Sequence, residues 1–397
     1  MDTVRFPRRA EPCFNFDHDG CDPCQYHEDL TQQIEFEHAA ADVGKQFAAV
    51  RSSKPTLEHV FSSENSGPPE FSDKLRTMLH TRKSLSAAKG HLRIVLLTPP
   101  FTPEIALGKR LVELLAERGC ECCICEAKLK DFVRLINPTI LLSMWPMFSP
   151  PKKIPAVQFW GNDFPEGSEQ FSIASKYRYF LHGTPDVAKL AGHAARSGKQ
   201  IRAQPLLLSV RASAFCDSPK RRLFFSAIGW DRRRGKLYLP IYSMLDKTGY
   251  FDAYGNSKLF PHGSYRGSTN NQKLFLERMR EAGVALVLHG DDHLNNGTSS
   301  SRVFEAAASS CVIISDRHPF IVENFGDSVL YIDQNASPKE IFGQIDGHMR
   351  WILANPDEAI ELARRSHEIF VKNFSLENEA DKIEKFFREI VAENAAP

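Results

Sequence analysis

Serines, an arginine and a glutamate stand together in SSSRVFEAAASS, residues 299–310. Hydroxyls and turn residues ahead of an apolar stretch mark the start of a helix. Unpaired backbone N–H groups and the helix dipole make such a start an anion site, most often for phosphate. Ser299, Ser300 and Ser301 either cap the helix or donate to phosphate oxygens, and the local pattern leaves both roles open. A strict capping box is absent, because the residue three before Glu305 is Arg302. Glu305 lies one turn in, where an acidic side chain suits ribose hydroxyls, as in dinucleotide-binding folds. Ala306 to Ser310 are small, so this helix can come close to a sheet and a ligand.

A second chemistry is written near the N-terminus. Cys13, Cys21, Cys24 and His27 have the spacing C-x7-C-x2-C-x2-H. Thiolates and an imidazole at that spacing suit a tetrahedral structural zinc. The competing reading is an irregular thiol-bearing segment, since only one C-x2-C pair is present. The remaining cysteines include CECCIC (Cys120, Cys122, Cys123, Cys125), which reads as a buried strand with cysteine as a small hydrophobe in a reducing compartment.

The elements that must position these residues follow from pattern. The chain has 397 residues, 42% hydrophobic and 25% charged, which suits two domains and an extension. A formal net charge of +1 gives no whole-protein pull on nucleic acid, and no nucleic-acid partner is expected. No apolar run is long enough to span a bilayer, and a cytoplasmic location is expected. Residues 1–90 are polar and read as an N-terminal extension, with helical spacing in TQQIEFEHAAADVGKQFAAV and EFSDKLRTMLHTRKSLSAA. From Gly90 onward apolar strands alternate with amphipathic helices. HLRIVLLTPP, CECCICEA, NPTILLSMWP, IPAVQFW and the start of YRYFLHGTPDVAKLAGHAARSG read as strands of one parallel sheet, a unit that KQIRAQPLLLS closes. RRLFFSAIGW, YFDAYGN, VALVLHG, CVIISD and SVLYID read as a second, with long helices at the C-terminus. The expected fold class is α/β, as two Rossmann-like doubly wound domains facing a cleft. The expected boundaries are 91–210, 211–375 and a C-terminal helix over 376–397. Ligands of such sheets bind at the carboxyl ends of the strands. The loops there hold Gly229 to Lys236, Tyr254-Gly255, His289 to Asp292, and the serine stretch.

From about residue 91 to the end, the chain resembles bacterial glycosyltransferases of the GT-B fold, group 1 type, as in spore-maturation-like and polysaccharide-building enzymes. SSSRVFEAAASSCVIISDRHPFIVENFGDSVLYID resembles that family's R-x-F-E-A-x-A-x-G-x-x-x-I-x-D segment, which holds the nucleotide sugar. PHGSYRGST looks like its Y-R-G segment, and VQFWGNDFPEG resembles its W-x-x-D-x-P loop.

The resemblance implies transfer of a sugar from a nucleotide-sugar donor to a glycan or lipid-linked acceptor, with peripheral membrane association for the latter. It implies that Glu305 accepts from the ribose and that Ser299, Ser300, Ser301 and Arg302 hold the phosphates. Arg232, Arg233, Arg234 and Lys236 are candidates to neutralise phosphate; of three successive arginines, one or two can face a ligand. Tyr254 and Gly255 are expected near the base, and His289, in the loop after a strand, is a further candidate to bind the donor. Asp163 is expected near the sugar across the cleft. A glycosyl transition state resembles an oxocarbenium ion and needs a carboxylate or imidazole nearby. Asp163, Asp231 and His262 are the candidate catalytic residues, with His182 and His289 as further imidazoles. No metal is expected in the cleft.

The chain departs from the family in places. Gly297 stands where many retaining members have a first glutamate. Ser310 replaces the usual glycine, and Thr98-Pro99-Pro100-Phe101 replaces a glycine pair. Competing expectations are a CMP-Kdo-type sugar acid transferase and a non-catalytic nucleotide-sugar-binding protein of the same fold.

Overall fold

Apolar runs without alternation belong to strands buried on both faces, and those strands form two parallel sheets in a computed structural model of the chain. It describes residues 92–395 apart from 99–102, 127–137, 145–147, 161–166, 184–199, 218–220, 228–234, 256–259, 261–262, 269–271, 291–292 and 295–296. The helical stretches read within 1–90 lie outside the described residues. Both sheets belong to one unit, Ala87–Pro397.

The first sheet contains β1 (Arg93–Thr98), β2 (Glu121–Glu126), β3 (Ile140–Ser143), β4 (Ala156–Trp160), β5 (Tyr179–His182) and β6 (Arg202–Pro205). Their spatial order is β2-β1-β3-β4-β5-β6, and every pairing is parallel. The second sheet contains β7 (Arg222–Ala227), β8 (Phe251–Gly255), β9 (Tyr265–Gly267), β10 (Gly283–Val287), β11 (Val312–Asp316) and β12 (Val329–Ile332). Its order is β12-β11-β10-β7-β8-β9, again parallel throughout. This is the Rossmann order: after β9 the chain returns to the other side of β7. The switch point, where such sheets bind ligands, therefore lies between β7 and β10.

The helices between strands follow the amphipathic spacing. In the first half, α1 (Pro103–Glu117) ends before Gly119, whose φ of +86° suits glycine. The short α2 (Glu169–Ala174), capped by Ser168, was not legible in the sequence. In the second half, α3 (Gly235–Asp246), α4 (Gln272–Ala282) and α5 (Ser301–Ala308) connect strands, and α6 (Pro319–Phe325) fills a turn. Next come α7 (Pro338–Ala354), whose Ser337–Glu340 capping box fixes its start, and α8 (Pro356–Asn373).

The last helix, α9 (Leu376–Ala395), crosses back to the first half. Its Leu376, Ala380, Ile383, Phe386, Phe387 and Ile390 are buried in the same core as Ile94 and Leu96 of β1 and Leu111 of α1. Burying each large apolar side chain contributes about 1.5–3 kcal/mol, an upper figure by area. Two chain segments thus cross between the halves, and they are bonded to each other. The Leu376 N–H donates to the Val210 carbonyl at 2.9 Å, and the Ser209 hydroxyl donates to the Phe374 carbonyl. Buried Glu379 accepts from the Leu207 N–H at 3.1 Å and from Lys382 at 2.9 Å.

Candidate functional site

The entrance of α5 lies at the exit of β10, on the β10 side of the switch point. The serines there divide the work. Ser300 is the N-cap, and its hydroxyl accepts from the Arg302 N–H at 3.3 Å. Ser299 is buried and its hydroxyl donates to the Ser300 carbonyl at 3.4 Å. Ser301 is half-buried, and its amide and hydroxyl have no partner among the described residues. Thr298, just ahead, is 8% exposed and its hydroxyl is likewise unpartnered among them. Capping therefore takes Ser300, and phosphate-type donors remain at Ser301 and Thr298.

Backbone conformation accounts for the departures on either side of α5. Gly297 has φ +65°, a left-handed turn that costs a residue with a Cβ roughly 1–2 kcal/mol. A glutamate is disfavoured there for that reason. Ser310, at the far end, has φ +60° where the family carries glycine. Its hydroxyl accepts from the Cys216 N–H at 2.9 Å, which ties the strained residue to the linker. The last carbonyls of α5 are also satisfied: Ala308 accepts from the Ser213 hydroxyl at 2.6 Å and Ala307 from His367 Nδ1 at 2.9 Å. Val303 to Ala308 are all buried, so the small residues do let α5 sit close to the sheet.

Glu305 is only 4% exposed, and a buried carboxylate needs a partner. Arg302, one turn earlier, donates to Glu305 Oε2 at 2.5 Å. The Arg302 guanidinium also lies 4.5 Å over the ring of Phe275 on α4. A further cation comes from the first half. Arg110 of α1 donates to the Ser209 carbonyl at 3.0 Å. Burial pushes its pKa down, while the Glu305 and then the Glu113 carboxylates push it up. An aromatic row continues from this cluster: Phe275 meets Phe224 edge-on at 5.2 Å, and Phe224 stacks on Tyr254 at 4.7 Å. Burial, followed by the charge of Asp252, raises the Tyr254 pKa, so its hydroxyl stays protonated near neutrality. Gly255 ends β8 with φ +109°, and its carbonyl accepts from the Tyr265 hydroxyl at 3.0 Å.

His289, expected to bind the donor, is buried behind the α5 entrance instead, 1% exposed. Its Nδ1 lies 2.7 Å from Asp316 Oδ1, and its backbone N–H donates to Asp316 Oδ2 at 2.6 Å. Its Nε2 accepts from the Ser300 N–H at 3.2 Å. With both ring nitrogens engaged, the side chain has no atom left for a ligand. The His318 ring lies 4.4 Å away. His318 Nδ1 accepts from the Phe320 N–H at 3.2 Å and caps α6, while Nε2 donates to the His293 carbonyl at 3.2 Å. Burial, then the neighbouring His289, lowers the His318 pKa to about 4.

The structure brings together Ser299, Ser300, Ser301, Arg302 and Glu305, with Tyr254 reached through the aromatic row. His182 ends β5 beside Trp160, the last residue of β4. Asp163, Asp231, His262, Arg232, Arg233 and Arg234 lie outside the described residues, as do Cys13, Cys21, Cys24 and His27. Lys236 is placed only as backbone in α3. Sequence reasoning missed Arg110, Phe275, Thr298 and the partners Asp316 and His318. Only Asp316 had a signal, as the last residue of the R-x-F-E…I-x-D segment.

Residues 220–385 match a family model described as "Glycosyl transferase-like". No curated protein sequence matches the chain. Among solved structures, a glycosyltransferase from Rickettsia africae ESF-5 is 11% identical with a TM-score of 0.53, covering 76% of this chain and 99% of that one. Sucrose-phosphate synthase from Thermosynechococcus elongatus is 10% identical with a TM-score of 0.53, covering 76% of this chain and 100% of that one. A DNA-modifying β-glucosyltransferase, studied with and without uridine diphosphoglucose, is 12% identical with a TM-score of 0.50, covering 76% and 99%. At these identities the likeness is one of fold. The GT-B fold and the group 1 resemblance read from the motifs are what these matches show.

Proposed function

We propose that this chain, of the GT-B fold and glycosyl transferase-like over residues 220–385, moves a sugar from a nucleotide-sugar donor to a glycan or lipid-linked acceptor. The observation that carries the reading is the α5 entrance. It sets donors without a partner among the described residues, at Thr298 and Ser301, ahead of a buried carboxylate, Glu305, beside the switch point. Donors at a helix start suit a phosphate, and a carboxylate one turn in suits ribose hydroxyls.

The roles follow from that placement. Residues 211–375 hold the donor and 91–210 receive the acceptor. Ser301 and Thr298 donate to the phosphates, with Arg234 and Lys236, which follow β7 in the sequence, adding positive charge. Stabilising the departing phosphate in this way lowers the barrier to breaking the glycosidic bond. Asp163, Asp231 or His262 takes the acceptor proton or shields the sugar cation, without a metal. The β-glucosyltransferase of like fold acts with uridine diphosphoglucose, which makes UDP-sugars the first donors to try. Synthesis of a surface polysaccharide or glycoconjugate in the cytoplasm is the proposed setting. No helix among the described residues is long and apolar enough to cross a membrane, so a lipid-linked acceptor would be met by peripheral association. A zinc ion on Cys13, Cys21, Cys24 and His27 is a separate proposal, tested by metal analysis of the purified protein.

A second reading, a non-catalytic nucleotide-sugar-binding protein, is favoured by Gly297, whose left-handed turn disfavours the family's first glutamate. Mass-detected turnover of UDP-, GDP-, dTDP- and CMP-sugars separates the two. Sugar release or transfer supports the enzyme, and tight binding without turnover supports the second reading. Stabilisation by no nucleotide sugar in a thermal-shift series sinks both.

A further inference from the structure

We infer that Asp316 acts through His289 as a positioning pair that fixes which backbone amides of the α5 entrance face the donor's phosphates. This rests on the donor site proposed above, but its geometry is independent of that reading. The His289 and Asp316 side chains are both 0% exposed. A backbone N–H can only donate, so the 3.2 Å contact from Ser300 requires a lone pair on His289 Nε2. The ring proton must then sit on Nδ1, where Asp316 Oδ1 accepts it at 2.7 Å. The other carboxylate oxygen takes the His289 amide at 2.6 Å, so Asp316 is met by donors on both oxygens.

The neighbouring His318 does not compete for these contacts. His318 uses one ring nitrogen on the Phe320 amide and the other on the His293 carbonyl. The His293 ring centroid is 6.2 Å from that of His289.

The consequence falls on the helix start. With the Ser300 amide drawn back onto His289, the Ser301 amide is left as the outward donor. The ring also ties α5 to the exit of β10, and Asp316, the last residue of β11, ties both to the next strand. Reversing the tautomer would set an Nε2 proton against the Ser300 N–H and push the entrance out of register with the phosphates. His289 and Asp316 are positioning residues here, because neither reaches the ligand.

The test is Asp316→Asn in the full chain. The amide keeps the carboxylate's shape. It accepts from the His289 N–H and turns an NH2 donor toward Nδ1, which forces the proton onto Nε2. Nitrogen-15 NMR of histidine-labelled protein reads the tautomer, and calorimetry reads affinity for UDP and GDP. The expected result is His289 as the Nδ1–H form in the parent and the Nε2–H form in D316N, with at least tenfold weaker nucleotide binding by the folded variant. An unchanged tautomer, or an affinity within twofold of the parent, overturns the inference. Should D316N fail to fold, the parent spectrum alone decides: Nε2–H on His289 there overturns the pairing. Failure of the parent to bind either nucleotide counts against the donor site, while the tautomer still tests the pair.

Discussion

If α5 holds a nucleotide by its phosphates and its ribose, replacing Glu305 by glutamine separates the two contacts. The substitution keeps the shape of a side chain that is 4% exposed and removes a charge faced by Arg302 at 2.5 Å and by Arg110. A hydrogen bond to a charged acceptor is worth about 1.5–3 kcal/mol, against roughly 0.5–1.5 for a neutral one. Loss of the charge at a ribose contact should therefore weaken UDP by about 1–2 kcal/mol, or roughly five- to thirtyfold. Inorganic pyrophosphate has no ribose, so its affinity should hold or rise slightly as the negative charge is removed. UDP lacking both ribose hydroxyls should bind parent and variant alike. Calorimetry on these probes gives the difference directly. The variant should also unfold more easily, since a buried ion pair loses one member. That loss should fall below the roughly 3–5 kcal/mol of a fully buried pair, because the Arg302 side chain is 23% exposed. Equal weakening of UDP and pyrophosphate, or no weakening of UDP, refutes the ribose assignment.

Other substitutions probe the frame around the site. Ser310→Gly relieves a left-handed backbone worth about 1–2 kcal/mol, but gives up the hydroxyl that accepts from Cys216 and adds freedom to the unfolded chain. It should stay within about 1 kcal/mol of the parent, whereas Ser310→Ala keeps the strain, strands the Cys216 amide and should lose about 1–3 kcal/mol in urea unfolding. His318 is neutral in the fold, with a pKa of about 4 against 6.5 in the unfolded chain. Its contribution to stability is therefore full above pH 6.5 and is lost as pH falls toward 4, by at most about 3 kcal/mol. His318→Asn retains an N-cap acceptor for α6 and should flatten that part of the stability–pH curve; an unchanged slope contradicts the assignment. Arg110→Met keeps the apolar stem and removes the bond to the Ser209 carbonyl. Hydrogen exchange should quicken in residues 206–212, and no change there would mean that Arg110 does not hold the linker.

The sheets were legible because parallel strands buried on both faces leave unbroken apolar runs, as in RIVLLT and CVIISD. The α5 start was legible because hydroxyls ahead of small apolar residues have few other uses. Which serine caps was not, since three adjacent hydroxyls are equivalent until the backbone turns. The dihedrals of Gly297 and Ser310 were hidden too: residue type permits a left-handed turn without requiring it. His289 and Asp316 lie 27 positions apart and meet only because β10 and β11 are neighbours. Arg110 and the return of α9 depend on how the two halves meet, which no local pattern records. The short β9, α2 and α6 carry too few residues for a period to show.

Under the proposed function, α5 grips a nucleotide sugar through its entrance and Glu305. Calorimetric titration of the full chain with UDP-, GDP-, dTDP- and CMP-sugars, repeated on Glu305→Gln, tests it most directly. Saturable binding of at least one donor by the parent is expected, with a weakening of roughly five- to thirtyfold in the variant. Binding of no donor, or of one that the variant holds equally well, contradicts it.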